Sequence, residues 1–562
     1  MAFVIRKDTG KKLGRRLTGI FQSIAAVFAV TIAVLPFSAQ AQSGTGDIVG
    51  KVTVGYQGWF SAGEGTPPDG LAWEHWSTNN KLPAPASANI AIKAWPDMRP
   101  YQTLYGSTPM QYQSGFGTLG NGLPATLFSS YNRDVVDIHM KWLGEYGKPT
   151  VAIQRFNPTG ATAATINAGN VLATAPKYGV KFYIDYDITG WTNYATEIPN
   201  DWTNVINGQL QMTASPFYAK QNGKPVVQLW IATSTSSTTP KQMLSLITWL
   251  KNQGLYVILG TSRGWRTDDP AWLPVYNAAN MIQPWMIGSI GNISDSDAVK
   301  PLWQDDLAYA NAHGFDFQAA VLPGDNAGSP PQRVHGDFMW EQFANAVSTG
   351  VKSVYVSMYD EYNEGNQIMP TAEDASMSTG GLPTLDIDGT HCSADYYMRL
   401  TDDGQKMLQG QLALTYTRPT QPVVQVQKLI PGTTVSFQAM ANGNDVTADN
   451  AGASPLIANR TTVGPWELYM VVDAGNTNIA LKSLSNNLYV TTGSNGSSPL
   501  SASTASIGLR ETFTEVPEAD GNIALRETAS GAYVTAESAG TAPLVANRTS
   551  VGPWETFIVT AH

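Results

Sequence analysis

Thr447, Thr491 and Thr535 stand 44 residues apart, and the chain around them repeats at the same step. Asp445-Val-Thr-Ala448, Tyr489-Val-Thr-Thr492 and Tyr533-Val-Thr-Ala536 align, as do Pro455-Leu456, Pro499-Leu500 and Pro543-Leu544. Glu467, Glu511 and Glu555 keep the step, and Ala458-Asn-Arg-Thr-Thr-Val-Gly-Pro-Trp-Glu467 recurs almost letter for letter as Ala546 to Glu555. The segment is rich in Gly, Thr and strand-like runs and poor in helical pattern. Three copies of a short all-β unit point to a closed assembly about a three-fold axis, because each copy is too small to bury an apolar face alone. The repeat occupies residues 427–562, and Thr417-Arg-Pro-Thr-Gln-Pro422 marks a linker over 416–426.

The region before it obeys a different rule. Eight apolar strand-like runs fall before residue 365: Val52 to Phe60, Val151 to Phe156, Lys181 to Ile188, Pro225 to Ile231, Tyr256 to Ser262, Met281 to Gly288, Asp316 to Gly324 and Ser353 to Glu361. Segments with helical periodicity lie between most of them, including Arg133 to Tyr146, Lys241 to Asn252, Ala298 to His313 and Asp337 to Thr349. Eight alternating units predict an α/β fold, a (β/α)8 barrel over 48–415, with a doubly wound open sheet as the competing topology. The Gly-, Pro- and Ser-rich connection from 61 to 130 is expected as a large loop over the barrel mouth.

In such a barrel the carboxyl ends of all eight strands share one rim. Those ends offer Tyr56 and Trp59, Gln154 and Arg155, Asp185 and Asp187, Trp230, Arg263 with Trp265, Trp285, Pro323-Gly324, and Glu361 with Glu364. A ring of tryptophans with Asp, Glu and Arg describes a groove where sugar rings stack and hydroxyls are hydrogen-bonded. Two carboxylates three residues apart after the last strand suit glycosidic hydrolysis. One carboxyl protonates the leaving oxygen, and a second carboxylate generates or stabilises the sugar electrophile.

Charge and cysteine content narrow the partners. The amino end carries Arg6, Lys7, Lys11, Lys12, Arg15 and Arg16, then an apolar stretch from Ile24 to Leu35, then Ala39-Gln-Ala41. This is the pattern of an export signal over residues 1–41, and Arg15-Arg16 also admits a twin-arginine route. Gln22 and Ser23 leave the apolar run short of the roughly 20 residues that span a bilayer, so no stable membrane insertion is expected. Removing the signal takes six basic residues and one acidic one, moving the formal charge from -10 to about -15. Nucleic acid is thereby disfavoured as a partner. Cys392 is the lone cysteine, which excludes an intramolecular disulfide and a cysteine-ligated zinc, and the six His show no metal-ligand spacing. The expectation is a secreted, extracellular or periplasmic monomer without metal or cofactor.

Glu361-x-x-Glu364-Gly-Asn-Gln-Ile resembles the Glu-x-x-Glu-Gly-Thr-Gln-Ile segment of glycoside hydrolase family 99, the endo-α-mannosidase family. Trp73-Glu-His75-Trp76 is similar to that family's early Trp/His segment, and Pro323-Gly324 with Arg333 to its Pro-Gly and Arg stretch. Tyr56-Gln-Gly-Trp-Phe60, Gln154-Arg-Phe156, Tyr186-Asp-Ile188 and Phe338-Met-Trp340 resemble signatures of a branch grouped with families 71 and 99. The resemblance covers about residues 48–412 and implies a TIM barrel. It implies that Glu361 takes the 2-hydroxyl proton while Glu364, holding its own proton near neutral pH, acts as general acid and then base. It also brings Tyr56, Trp59, His75, Trp76, Arg155, Asp185, Asp187, Trp265, Trp285 and Arg333 forward as substrate-binding candidates.

Two positions depart from the family: Met369 replaces an acidic residue, and Tyr183-Ile-Asp-Tyr-Asp187 replaces a His-Ile-Glu-Pro-Tyr type of segment, with Asp185 or Asp187 substituting. The sugar is therefore open, and family 71, acting on α-1,3-glucan with inversion, is the neighbouring pattern. The repeated tail resembles the β-trefoils of the ricin-type and fascin-like group, which implies a carbohydrate-binding module. Trp466 and Trp554 are its candidate sugar contacts, or else caps of its core, and Ile507-Gly-Leu-Arg510 replaces the Trp-bearing corner in the middle copy. The combined expectation is a secreted glycoside hydrolase acting on an α-linked polysaccharide or glycan. The alternatives are a non-catalytic lectin on the same scaffold and an enzyme for another glycosidic bond.

Overall fold

The computed structural model describes residues 43–63, 72–101, 109–157, 161–233, 237–325, 331–423, 428–475, 478–493, 498–517 and 522–562. The export signal expected over 1–41 lies outside the described residues. Eight parallel strands run β1 (Val52–Tyr56), β2 (Thr150–Arg155), β3 (Phe182–Asp187), β4 (Lys224–Trp230), β5 (Tyr256–Thr261), β6 (Met281–Pro284), β7 (Asp316–Phe317 and Ala319–Val321) and β8 (Val354–Val356). Each pairs with its sequence neighbour, and Val52, Thr53 and Val54 of β1 pair with Val354, Tyr355 and Val356 of β8. β7 is broken at Gln318: its first piece pairs with β6 and its second with β8. The sheet therefore closes on itself as the expected barrel.

Among the described residues, eight α-helices alternate with the strands: α1 (Arg133–Glu145), α2 (Ala161–Thr174), α3 (Tyr194–Asp201), α4 (Pro240–Asn252), α5 (Leu273–Tyr276), α6 (Ile293–His313), α7 (Asp337–Ser348) and α8 (Tyr396–Leu408). Asn132, Thr239 and Asn292 cap α1, α4 and α6 by accepting a first-turn backbone N–H, so these helices begin where a side-chain acceptor satisfies an orphan donor. Along β4, Val227 and Leu229 alternate with Val226, Gln228 and Trp230.

The barrel interior is polar low down. Gln318 donates to Ser353 Oγ at 2.9 Å and Thr53 Oγ1 at 3.3 Å. Gln228 donates to Gln283 at 2.8 Å and accepts from the Tyr183 hydroxyl at 2.7 Å. These groups are fully buried, so each bond offsets a desolvation cost that an unpaired amide would carry.

The sixth, seventh and eighth strands end earlier than the sequence runs suggest, β8 at Val356 rather than Glu361. The acids accordingly lie on a loop beyond the strand. That loop is stitched to its neighbours: Tyr359 N donates to Gly55 O at 2.7 Å, Lys93 N to Tyr362 O at 2.8 Å, and Ala372 N to Trp95 O at 2.9 Å. The described parts of the long first connection thus pack against the post-β8 loop and contain a hairpin, Tyr112–Thr118 with Pro124–Leu127. Arg418 pairs with Asp337 at 2.7 Å, Thr420 donates to Asp403 at 2.7 Å, and Arg399 donates to Gln421 O and Pro422 O, so residues 418–422 of the linker are bound to α7 and α8.

The tail forms twelve antiparallel strands between Thr434 and Ala561 in one closed sheet, the trefoil architecture. Its axis is visible in three backbone bonds: Leu456 N to Leu500 O, Leu500 N to Leu544 O and Leu544 N to Leu456 O, at 2.8–2.9 Å. Its core repeats with the sequence, Phe437, Leu481 and Leu525 in one tier, Tyr469, Phe513 and Phe557 in another. Glu467, Glu511 and Glu555 are buried and accept from the N–H of Gly464, Gly508 and Gly552, which explains why they recur. We expect Leu500→Ala to cost about 2–5 kcal/mol by opening a cavity on the axis. Urea unfolding followed by tryptophan fluorescence checks this, with the exposed Leu509→Ala within about 0.5 kcal/mol of the parent.

Candidate active site

Barrel closure sets the loop after β8 beside the loop after β1, and Asp360 fastens them. Its buried carboxylate accepts Gln57 N–H at 2.9 Å and Gly58 N–H at 2.8 Å. Gly58 lies at φ +58° with the Asn167 side chain 2.2 Å from where a Cβ would sit, so this turn needs glycine. From the other flank, Arg333 donates to Gly324 O at 2.9 Å, Gly365 O at 2.8 Å and Gln367 O at 2.7 Å, with its guanidinium 4.4 Å from the centre of the Tyr397 ring. Arg333 is buried and braces the acid loop from behind.

Between these two fastenings lie the acids. Glu361 is only 5% exposed and accepts Asn363 N–H at 3.1 Å. Burial, with the nearby Glu364 charge, pushes its carboxyl up to about 8, against a hydrogen bond from the Gln57 side chain that favours the charged form. Glu364 is exposed and accepts from Asn366 Nδ2 at 3.1 Å. The desolvated member of the pair is Glu361, whereas the family 99 resemblance makes Glu364 the proton holder. Asp360 is also raised, to about 6, by burial, with the Gln57 and Gly58 N–H bonds working the other way.

Cavities open at the post-β1 turn and at the acid loop. One of about 260 Å³ is lined by Gln57, Trp59, Glu74, His75, Phe156 and Asn167. Trp59 stacks on His75 at 3.8 Å and 8°, and on Phe156 at 5.0 Å and 18°, giving an aromatic wall. Burial lowers His75 to about 4, so the ring is neutral near pH 7. Another cavity, about 520 Å³, has a mixed lining in which Lys93, Asp295, Asp325, Gln332 and Glu364 stand beside Ile287, Ile290 and Leu322, with Lys93 and Asp325 paired at 3.2 Å.

Several residues expected at the rim lie elsewhere. Trp265 is fully buried, edge-on to Tyr276 and Tyr309 at 5.3 Å, and serves the packing of α5 and α6 against the barrel. Trp76 is fully buried on Phe60, its indole N–H donating to Phe128 O at 2.8 Å. Arg155 spends its guanidinium on Asp201, which also accepts from Tyr186 at 2.7 Å, tying β2 to the end of α3. Tyr56 is buried too, its hydroxyl 3.0 Å from His139 Nδ1 while Tyr101 takes Nε2 at 2.9 Å. His139 is held neutral by burial, so one Tyr donates to the ring and the other accepts from it. None of these four presents a surface to a ligand.

Asp185 is fully buried with neither oxygen hydrogen-bonded, and burial raises it well above the ordinary range; Asp187 is partly exposed, raised by burial, and accepts Thr189 N–H at 2.8 Å. Trp285, partly buried, meets Trp230 edge-on at 5.0 Å. In the trefoil, Trp466 and Trp554 are each 38% exposed. Sequence reasoning missed Gln57, Asp360 and Asn167. Gln57 and Asp360 sat beside chosen residues, in Tyr56-Gln-Gly-Trp and Tyr-Asp-Glu361, whereas nothing in the sequence singles out Asn167.

No protein-family model matches the chain, and no curated protein matches it. Among solved structures it is similar to the GH99 endo-α-mannosidase from Bacteroides thetaiotaomicron, at 15% identity and TM-score 0.47 over 65% of this chain and 98% of that one. It is also similar to the designed three-fold symmetric protein ThreeFoil, at 19% identity and TM-score 0.21 over 22% of this chain and 96% of that one. The BEL β-trefoil matches at 10% identity and TM-score 0.23, over 25% of this chain and 100% of that one.

A carboxyl that keeps its proton to about 8 in the folded state, against about 4.3 unfolded, weakens the fold as pH rises between those values, because the unfolded chain releases the proton first. The stability is complete below about pH 4 and the loss is complete above about pH 8. We expect Glu361→Gln to abolish that slope. The variant should melt above the parent at pH 8, by an amount on the order of a few kcal/mol, with the gap closing toward pH 4. Calorimetry across this window measures it.

Proposed function

We propose that this chain is a glycoside hydrolase acting on an α-linked polysaccharide or glycan, with Glu361 and Glu364 as its catalytic carboxyls. The observation that carries the reading is the contrast between the two: a Glu361 only 5% exposed, whose carboxyl burial pushes up to about 8, and an exposed Glu364 that lines a cavity. Desolvation of one member of a carboxyl pair suits that member to hold and deliver a proton. In this reading Glu361 protonates the departing glycosidic oxygen. Glu364, as carboxylate, stabilises the positive charge that develops at the anomeric carbon or activates the attacking group. This inverts the roles that the family 99 resemblance implies. The aromatic wall of Trp59, His75 and Phe156 suits the apolar face of a sugar ring, and the polar side chains that line the cavity beside Glu364 suit hydroxyls.

The trefoil acts in this proposal as a polysaccharide-binding module. Its partly exposed Trp466 and Trp554 stack on sugar and raise the local concentration of substrate at the barrel. Export of the mature chain as a monomer completes the proposal.

The test is release of reducing ends from a panel including mannan and α-1,3-glucan, with NMR identifying the first anomer formed. Glu361→Gln and Glu364→Gln are each expected to lower turnover by about 10²–10⁴-fold or more while leaving the fold intact. The kcat/KM of the parent should fall above about pH 8 as Glu361 loses its proton. A rate that climbs through pH 8 would hand Glu361 the base role. Binding without release of sugar from any polymer overturns the enzyme reading in favour of a lectin.

A further inference from the structure

The three copies of the trefoil share a fold but not a surface. In the first, Arg460 pairs with Asp449 at 2.7 Å and donates to Asn459 Oδ1 at 2.7 Å. In the third, Arg548 pairs with Glu537 at 3.1 Å and donates to Asn547 Oδ1 at 2.7 Å. An indole is anchored next to each pair: Trp466 O accepts Ala448 N–H at 2.8 Å and Trp554 O accepts Ala536 N–H at 2.7 Å, one residue before the acid. The rings are each 38% exposed and the four charged side chains 29–37%, so these groups face solvent. In the middle copy all four positions differ: Gly493, Ser503, Thr504 and Arg510 stand one 44-residue step beyond Asp449, Asn459, Arg460 and Trp466. A Cβ on Gly493 would lie 2.0 Å from Ser498 Cβ, so that copy has no room for an acid.

The middle copy nevertheless folds as the others do. Its hairpin pairs Tyr489 with Thr504 and Val490 with Ala502, with the same one-residue shift that separates Asp445–Arg460 from Val446–Ala458 and Tyr533–Arg548 from Val534–Ala546. Thr492 N–H reaches Arg510 O at 3.0 Å where Ala448 and Ala536 reach a tryptophan, and Glu511 still accepts from Gly508 N–H. The corner is therefore dispensable for the fold, and ion pairs this exposed contribute little to stability. Copying alone does not account for it either. The first acid is Asp and the third Glu, and Asn450-Ala-Gly-Ala-Ser454 has diverged from Ser538-Ala-Gly-Thr-Ala542, yet the pair to Arg persists.

We propose that the trefoil carries two equivalent sugar-binding corners, Asp449, Asn459 and Arg460 with Trp466 and Glu537, Asn547 and Arg548 with Trp554, and that its middle copy is blank. The inference rests on the reading of the tail as a polysaccharide-binding module, and it gives that module its polar residues and its valence. Each corner suits a neutral pyranose unit. The indole takes the apolar face of the ring, the carboxylate and amide accept hydroxyls, and the guanidinium and amide donate to them. Acid and base balance within a corner, so it brings no net charge to select an anionic sugar. Two corners on one closed core engage two stretches of the same polymer, a gain in avidity that a short oligosaccharide does not receive.

The test uses the full chain carrying Glu361→Gln, which leaves the ligands uncut, and titrates mannotetraose and a tetrasaccharide of α-1,3-linked glucose by calorimetry. Trp466→Ala and Trp554→Ala should each lower the number of bound oligosaccharides by one without changing the affinity of the rest, and both together should lower it by two. Arg460→Met and Arg548→Met keep the ring and should each weaken one site by about 10-fold or more, the loss of a hydrogen bond to a charged group. On the polymer of whichever oligosaccharide binds, each tryptophan change should cost about 100-fold in apparent affinity through lost avidity, whereas Arg510→Ala in the middle copy should cost nothing. Equal binding with and without the two tryptophans, or a loss in Arg510→Ala that matches Trp466→Ala, overturns the inference. A chain that binds neither oligosaccharide nor either polymer overturns the module reading along with it. Release of reducing ends by the parent reports on the barrel separately, so failure of the corners and failure of the glycosidase reading are told apart.

Discussion

Pairing of the first and last barrel strands is the constraint on which the site depends. Val52 to Val54 lie against Val354 to Val356, about three hundred residues along the chain, and that register decides which loops become neighbours. Because β8 lies against β1, the acid loop falls within reach of Gln57 and Gly58, and Asp360 can take both N–H groups. Had the sheet stayed open, these groups would stand at opposite edges. The break of β7 at Gln318 belongs to the same closure: one piece continues β6, the other meets β8, and the Gln318 side chain bonds Ser353 and Thr53 across the interior.

The loop that carries Glu361 and Glu364 has little regular structure of its own, yet it is fixed from several directions. Asp360 holds it to the post-β1 turn, Arg333 holds its backbone carbonyls, and Tyr362 and Trp95 join it to the first long connection. Such buried polar fastening is costly to leave half-made, so it specifies one conformation. The same desolvation that rigidifies the loop raises Glu361 and Asp360, so the device that positions the acid also sets its acidity. Stability and chemistry are opposed there, since ionising Glu361 favours the unfolded chain.

Much of the architecture was legible because it is written periodically. Eight alternating runs forecast eight strands, and α1, α4 and α7 begin and end within a residue or so of their expected bounds. The 44-residue step forecast a three-fold core whose tiers carry the same step. Site residues were harder. Trp76 and Trp265 have the composition of a sugar-binding rim, but nothing local distinguishes a ring that faces a groove from one that faces a helix. Arg155 looked like a ligand to hydroxyls until Asp201, from α3, claimed it.

By itself the sequence determined the two architectures, the three-fold symmetry and the proximity of Glu361 to Glu364, since each follows from spacing along the chain. Tertiary structure alone decided which of those carboxyls is desolvated, which aromatic rings reach a cavity, and that Gln57 stands beside Glu361. The reason is that burial and electrostatic environment are set by groups distant in sequence, Asp360 with Gln57 and Arg333 with Gly365 among them. No local pattern of residues encodes which of its neighbours will exclude water.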